Sequence, residues 1–589
     1  MAQDRDLNAP DLRAQAVKAA QGLVPFDLLI TGGQILDMVT GAIRAADVGI
    51  VGGLIASVHA PDPVREATQR LDAIGCHIVP GLIDTHMHVE SSMVTPAEYA
   101  AAVVPRGVTT ALWDPHEFAN VCGIPGVDYA IEAGRNVPLR LLTLAPTCVP
   151  SAPGYESSGS DFGPEVLADL LARDDIYGSA ELMTMQPLLN GDPRVTGIVN
   201  AGLASGKRVC GHARGLTGGA LAAYAAAGVE TDHELTSGAD LLARLEMGMT
   251  VELRGSHDHL LPEFADLLLE LGHLPQTVTL CSDDVFPDDL YAKGGLDQVV
   301  RRLIECGLPP GWAYRAATLN AATRIGRPDL GLIAPGKRAD IVVLSDLERV
   351  MASAVVTDGR LVAADNRLKT PAPSTPAPAL MSSLTLPEMT PDDFEIACNA
   401  AQAQIETLSK PRFPEWSSRT VSAADGKLVL PNDMIRMAVV NRYGANTPVR
   451  VAFLENWGTW RGAFATTVSH DSHNLTVFGR NSDDMAVAAN AVRQTDGGMC
   501  VVSDRQVQAQ ISLPLAGLVS AAPLEEVAQS FSAIRAALDA LVDWEPPYLV
   551  PKALFGASLV CNAGPRLSDV GLVDVFAGRI LETPLQHQE

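Results

Sequence analysis

Between about Gly81 and Gly326 the chain alternates short apolar runs with helix-like segments, eight times over about 245 residues. The runs are "GLIDTHMH", "VTTALWDPH", "LRLLTLAPT", "IYGSAEL", "KRVCGHA", "GVETDHE", "GMTVELRG" and "VTLCSDD". Segments such as "TPAEYAAAVVPRG", "PEVLADLLARDD", "LTGGALAAYAAAG" and "DLLARLEMG" lie between them. Parallel strands buried on both faces read as such runs and need a crossover helix between each pair. The pattern predicts an α/β fold, a TIM-like (β/α)8 barrel over 80–330. In that fold the chemistry sits at the C-terminal ends of the strands. Polar residues end these runs: His86 and His88, Asp114, Glu181, His212, His233 and Asp283.

The flanks predict further units. Residues 1–24 read as a polar, helix-prone lead-in. Gly-punctuated β-like runs at 25–79 return at 331–368, so the two patches are expected to pair as one discontinuous small β-sandwich domain. A Pro-rich stretch at 369–393 reads as a linker. Residues 394–589 mix strand and helix patterns and predict a C-terminal α+β domain that closes over the barrel mouth.

The chain has 589 residues, enough for several domains around large cores. A net charge of −26 repels phosphate backbones and argues against a general nucleic-acid binder. No apolar run approaches the length that spans a bilayer, and no secretion signal opens the chain, so a cytoplasmic protein with no membrane partner is expected. The nine cysteines are dispersed, with no CxxC spacing, which fits reduced thiols. A metal here would be held by imidazoles and carboxylates.

His86 and His88 stand at i and i+2 of a strand, so both rings reach one side. His212 and His233 each end a later run. Alone, each reads more readily as a structural histidine; at the strand ends of one barrel all four converge. Asp283 adds a carboxylate at the same rim, although it also suits a helix N-cap. Glu181 could bridge two cations or form a rim salt bridge. Glu90, Asp114, His116 and Glu117 are candidates to line a substrate pocket or support it from behind. Asp284 could face the substrate or cap a helix. His470 and His473, in "HDSHN", could cover the mouth or form a turn elsewhere, and His257 and His259 read as loop residues. His88-Val89-Glu90 mimics half of the zinc base-deaminase signature, but no PCxxC follows it.

With "VPGLIDTHMHVESSMVTP", Glu181 and "CSDD", the chain resembles the amidohydrolase superfamily. "ALWDPHEFANVCG" and "GAFATTVSHDSHNLTVFGRNSDDMAVAANAV" resemble the bacterial-type adenine deaminases. The resemblance runs from about Phe26 to the C-terminus. It implies hydrolytic deamination of adenine to hypoxanthine and ammonia, in purine salvage, by a metal-activated hydroxide. It implies two divalent ions, Mn or Fe(II) over Zn. His86, His88 and Asp283 would hold the first ion, His212 and His233 the second, and Glu181 would bridge. Asp283 would shuttle protons, and Glu90 would protonate the ring. A homodimer or higher homo-oligomer is expected, acting on a small molecule, with adenosine and AMP poor substrates.

Other readings are a cyclic-amide hydrolase of the dihydropyrimidinase or hydantoinase kind, a deaminase of a modified adenine, and a non-catalytic scaffold. Relatives of the first kind usually carry a lysine at the bridging position, where this chain has Glu181.

Overall fold

Eight short strands in the middle of the chain lie side by side: β1 (Leu82–Met87), β2 (Val108–Trp113), β3 (Arg140–Thr143), β4 (Gly178–Leu182), β5 (Arg208–Gly211), β6 (Thr231–Asp232), β7 (Thr250–Arg254) and β8 (Val278–Cys281). The computed structural model describes residues 5–411, 413–445, 447–544 and 550–588. Strands β1 to β3 pair in parallel, as do β4 with β5 and β7 with both β6 and β8. A parallel bridge between Ala145 and Ser179 joins β3 to β4, and the Glu230 amide donates to the Val209 carbonyl at 3.0 Å between β5 and β6. A parallel bridge between Met87 and Asp283 joins the last strand end to the first. The hydrogen bonding therefore returns to its start.

Every residue of β1, β2, β4 and β8 is buried, as strands covered on both faces require. The intervening helices supply the outer cover. Leu296–Glu305 buries Leu296, Val299, Val300 and Leu303, the i, i+3, i+4, i+7 stripe of a helix lying on a sheet. Pro193–Ala204 begins at Asp192, whose carboxylate accepts from the Val195 amide at 3.0 Å and caps the first turn.

Strands from the two flanking patches share one nine-stranded sheet. His77–Pro80 is the hub. It pairs in parallel with Phe26–Leu36 and antiparallel with Ile341–Asp346. Because that hub hydrogen-bonds on both edges, the pairing is continuous in a single sheet where a sandwich of two was expected. The chain enters through a helix, Pro10–Ala20, which buries Ala16 and Ala19.

The C-terminal region is built on a ten-stranded sheet. Alternate residues of Met434–Val440 serve two cores. Ala438 and Val440 pack under the helix Ser482–Gln494 with Met485, Ala489 and Val492. Met437 and Val439 face a larger core that holds Phe531, Ile534 and Leu538 of the helix Leu524–Leu541 and continues into the eight-stranded ring. The period-two pattern of the strand thus decides which helix lies on which face.

The Pro-rich segment 369–393 is packed along the protein and does not span a gap. Leu380 and Met389 are buried, the Ala516 amide donates to the Leu380 carbonyl at 2.6 Å, and the Thr385 amide donates to the Arg442 carbonyl at 2.9 Å. Prolines lack an N–H to satisfy, so such a strap can lie in irregular conformation against a core. No helix among the described residues is long and apolar enough to cross a membrane.

Candidate active site

The C-terminal ends of β1, β4, β5, β6 and β8 bring four imidazoles and two carboxylates together. Glu181 is central. Its Oε1 lies 3.6 Å from His86 Nε2 and 3.5 Å from His88 Nε2, and its Oε2 lies 2.6 Å from His212 Nδ1 and 3.3 Å from His233 Nε2. One carboxylate thus offers one oxygen to each of two histidine pairs. Asp283 Oδ1 closes the first group at 3.5 Å from both His86 and His88. All six side chains are buried.

Surrounding groups aim these side chains. His88 Nδ1 donates to the Asp114 carbonyl at 3.0 Å, which leaves Nε2 with its lone pair toward the cluster. His212 is held by its backbone: its amide donates to the Tyr224 hydroxyl at 3.0 Å. Asp283 has φ 56, and this left-handed turn just past β8 sends its carboxylate back over the ring. Its Oδ2 lies 2.5 Å from the Arg254 guanidinium and accepts from the Ser256 hydroxyl at 3.0 Å.

Burial alone would discharge these groups, but their neighbours reverse it. Burial opposes the charge on His86, yet Asp283 and Glu181 hold its imidazole up, to about 10. Burial pushes Glu181 upward, and His233 and His212 pull it well below the usual carboxylate range. Asp283 is likewise held well down, against burial, by Arg254 first. Such a nest, saturated with anions and lone pairs, suits a cation.

The donors themselves fit such an ion. Among the described residues, groups of three or four ligand atoms within 4.8 Å of one another include His86, His88 and Asp283, and also His86, Glu181 and His233. His86 Nε2 is buried with no hydrogen-bond partner, as a nitrogen poised for an ion would be. Imidazole and carboxylate donors with no thiolate fit Mn, Fe or Zn.

The other expected residues divide. Asp114 and His116 join the cluster, with His116 Nδ1 at 3.1 Å from Asp114 Oδ2 and 4.0 Å from Glu181 Oε1. Glu117 and His470 meet at 3.6 Å across the seam with the C-terminal region, and Asp284 accepts from the Ser91 hydroxyl at 2.6 Å. His473 is fully buried behind His470, where its Nδ1 accepts from the Ser469 amide at 3.3 Å. Glu90 turns away from the cluster. Its Oε2 accepts from Trp113 Nε1 at 2.7 Å and its Oε1 from the Phe118 amide at 3.4 Å, so it fixes the loop that carries Asp114 and His116. Burial and the Glu117 charge push its carboxyl up to about 8.

Sequence reading missed Arg254 and Asp471. Arg254 ends β7, and its place in a run end was the available signal. Asp471, beside the noted histidines, lies 3.7 Å from His116 Nε2. His257, read as a loop residue, lines a cavity over the cluster together with His212, Asp284 and His470.

The amidohydrolase family model matches residues 77–362, and the adenine deaminase C-terminal domain model matches residues 413–579. Adenine deaminase 2 of Rhizobium etli is 56% identical over 582 residues, covering 98% of both chains. The adenine deaminases of Serratia proteamaculans and Moorella thermoacetica are 47% and 39% identical, each across 97% of this chain and 97% and 98% of their own. The chain belongs to the adenine deaminase family. That kinship runs through both the eight-stranded ring and the C-terminal sheet. The adenine deaminase family sits within the amidohydrolases, which use divalent metals, and the buried imidazole–carboxylate cluster is the candidate place for them here.

Proposed function

We propose that this chain hydrolyses adenine to hypoxanthine and ammonia, in purine salvage, at a site for two divalent cations in the mouth of a (β/α)8 barrel. The observation that carries this reading is the division of Glu181, with one oxygen facing His86 and His88 and the other facing His212 and His233. Family membership supplies the substrate. His86, His88 and Asp283 would hold one ion and His212 and His233 the other, with Glu181 between. Mn or Fe(II) is favoured by the family resemblance, and Zn suits the same donors.

When bound, the cations supply the nucleophile by lowering the pKa of water toward about 7. The chain's residues do the rest. Asp283, kept ionised by Arg254, accepts a proton and returns it to the departing amine. Asp284 lines the cavity next to Asp283 and is linked through Ser91 to Glu117, so this pair is placed to hold the amidine edge of the base. His470 and Asp471 carry the C-terminal region to the mouth, where closure excludes bulk water. Glu90 is assigned a positioning role. The free thiols fit a cytoplasmic enzyme, and a homodimer or higher homo-oligomer belongs to the same reading.

Product formation followed by liquid chromatography after loading with Mn, Fe(II) or Zn tests this directly, using adenine, N6-methyladenine, adenosine, AMP and dihydrouracil. Adenine should be turned over fastest. Dominant turnover of dihydrouracil would establish a cyclic-amide hydrolase instead, and equal turnover of adenosine would reject the free base as the substrate.

A further inference from the structure

A second group of donors stands beside the imidazole–carboxylate cluster, on the seam between the ring and the C-terminal region. His116 opens the helix His116–Cys122, just past the end of β2. His470 and Asp471 lie between the strands Ala463–Thr466 and Leu475–Gly479 of the C-terminal sheet. Asp471 Oδ1 is the meeting point. It lies 3.7 Å from His116 Nε2 and 3.7 Å from His470 Nδ1. The three donor atoms all lie within 4.8 Å of one another. Glu117 brings a second carboxylate, with Oε1 3.6 Å from His470 Nδ1.

These separations are too long for hydrogen bonds, and an imidazolium paired with a carboxylate closes to about 2.7–2.9 Å. They are the separations that donors about 2.1 Å from one ion keep when they subtend roughly 120° at it. Similar spacings, 3.6 and 3.5 Å, separate His86 from Glu181 and Asp283 in the neighbouring cluster. Asp471 is 1% exposed, and its Oδ2 has no hydrogen-bond partner among the described residues. A buried carboxylate oxygen in that state calls for a water or an ion.

Each donor is aimed by its surroundings. His116 Nδ1 lies 3.1 Å from Asp114 Oδ2, a partner that keeps the proton on Nδ1 and turns the Nε2 lone pair toward Asp471. The His470 amide donates to the Phe555 carbonyl at 3.0 Å, and the Ser558 hydroxyl donates to the His470 carbonyl at 3.1 Å. Asn474 Nδ2 donates to the Ser157 carbonyl at 3.0 Å, which ties the far side of the loop to the ring. His473 is not a donor to this group. Its Nδ1 accepts from the Ser469 amide, so its Nε2 carries the proton.

We propose that His116, His470 and Asp471 form a third cation site, for zinc or a similar divalent transition ion, separate from the pair that Glu181 divides. Two imidazoles and one carboxylate with open positions suit such an ion. The His470 side chain is 19% exposed and lines the cavity above the cluster, which gives the ion an entry path. With three side chains and that open flank, the site releases its ion on desalting, whereas the enclosed pair keeps two. His116 belongs to the ring, and His470 and Asp471 belong to the C-terminal region, so the ion fastens the seam. The count of three rests on the two-cation reading above; the site itself does not.

The test is calorimetric titration of full-length protein, loaded with Zn and desalted, with further Zn near neutral pH. One further saturable equivalent per chain is expected. Asp471→Asn and His470→Gln should each weaken it at least about tenfold, because even the outer partners of a metal site are worth that much. The exposed His273→Gln should leave it unchanged. Asp471 is buried and its variant could unfold, so half-buried His470 provides the independent arm. Excess Zn should raise the melting temperature of the unchanged protein and not that of His470→Gln. Absence of a further saturable equivalent, or one that His470→Gln leaves unchanged, would overturn the proposal, and binding without a rise in melting temperature would refute the fastening role. Zinc retained after desalting, measured on the same samples by mass spectrometry, keeps the two readings apart. Fewer than two retained ions would count against the pair at Glu181 and leave a His470-dependent equivalent standing.

Discussion

Glu181 Oε2 lies 2.6 Å from His212 Nδ1, across the gap between the ends of β4 and β5. The other Glu181 oxygen is turned to His86 and His88 on β1. No second carboxylate among the described residues spans both histidine pairs in this way. Replacing Glu181 by Gln keeps the volume and removes the charge. Metal content, measured by mass spectrometry, should fall from about two ions per chain to one or none. Turnover should fall by at least about a hundredfold. A variant that kept both ions and near-normal turnover would show that another group bridges.

Asp283 divides its carboxylate in a different way, with Oδ1 toward the histidines and Oδ2 toward Arg254 and Ser256. Asp283→Asn should lower kcat by roughly 10²–10⁴, the range of a lost acid–base group. Steady-state kinetics at saturating metal check this. Restoration of full activity by excess metal alone would mean that Asp283 serves only as a ligand.

The two halves of the protein share a core, so cutting the chain after residue 363 would expose apolar surface; a point substitution is the cleaner probe. Phe531 on the helix Leu524–Leu541 packs at a tilt on Phe286, which follows β8, with the ring centroids 5.1 Å apart. Phe531→Ala should cost about 3–5 kcal/mol by leaving a cavity at this seam. Denaturant unfolding monitored by tryptophan fluorescence would measure it, and a loss under 1 kcal/mol would show that the seam carries little of the stability.

Glu156 offers a pH test away from the cluster. Its Oε1 accepts from the Ser151 hydroxyl at 2.6 Å and the Ala152 amide at 3.0 Å, while the buried Oε2 has no partner. Burial pushes this carboxyl up to about 8, with Asp471 adding to it. Between the unfolded value of about 4.3 and 8, the folded protein binds the extra proton, so stability falls as pH rises through this window. The limiting slope is about 1.4 kcal/mol per pH unit. Glu156→Gln should remove that slope, and melting temperatures from pH 5 to 8 should separate from those of the unchanged protein most at pH 8. Parallel curves would place the group's ionisation elsewhere.

Much of the site was legible in order along the chain. A run such as "GLIDTHMH" must be a buried strand because it is short, apolar and followed by a helix. A polar residue at its end then stands on the rim, wherever the strand lies in the ring. The family could be read because "DPHE" and "SHDSHN" are selective strings. Sequence proximity to His88 says nothing of which way the turn after it faces; the 3-10 turn at Glu90–Ser92 sends the Glu90 carboxylate to Trp113. Arg254 and Asp471 escaped because their roles depend on partners tens to hundreds of residues away.

The sequence by itself determined the local pieces: which runs are strands, which flanks cover them, which side chains stand at strand ends, and which family the pattern belongs to. These follow from periodicity and residue chemistry, which are short-range. Only the tertiary structure decided how Glu181 divides its two oxygens, that Arg254 holds Asp283, and that His470 and Asp471 reach the ring. Those relations depend on the angle at which each strand end and loop approaches the others. That angle is fixed by long-range packing across two cores, so no window of sequence contains it.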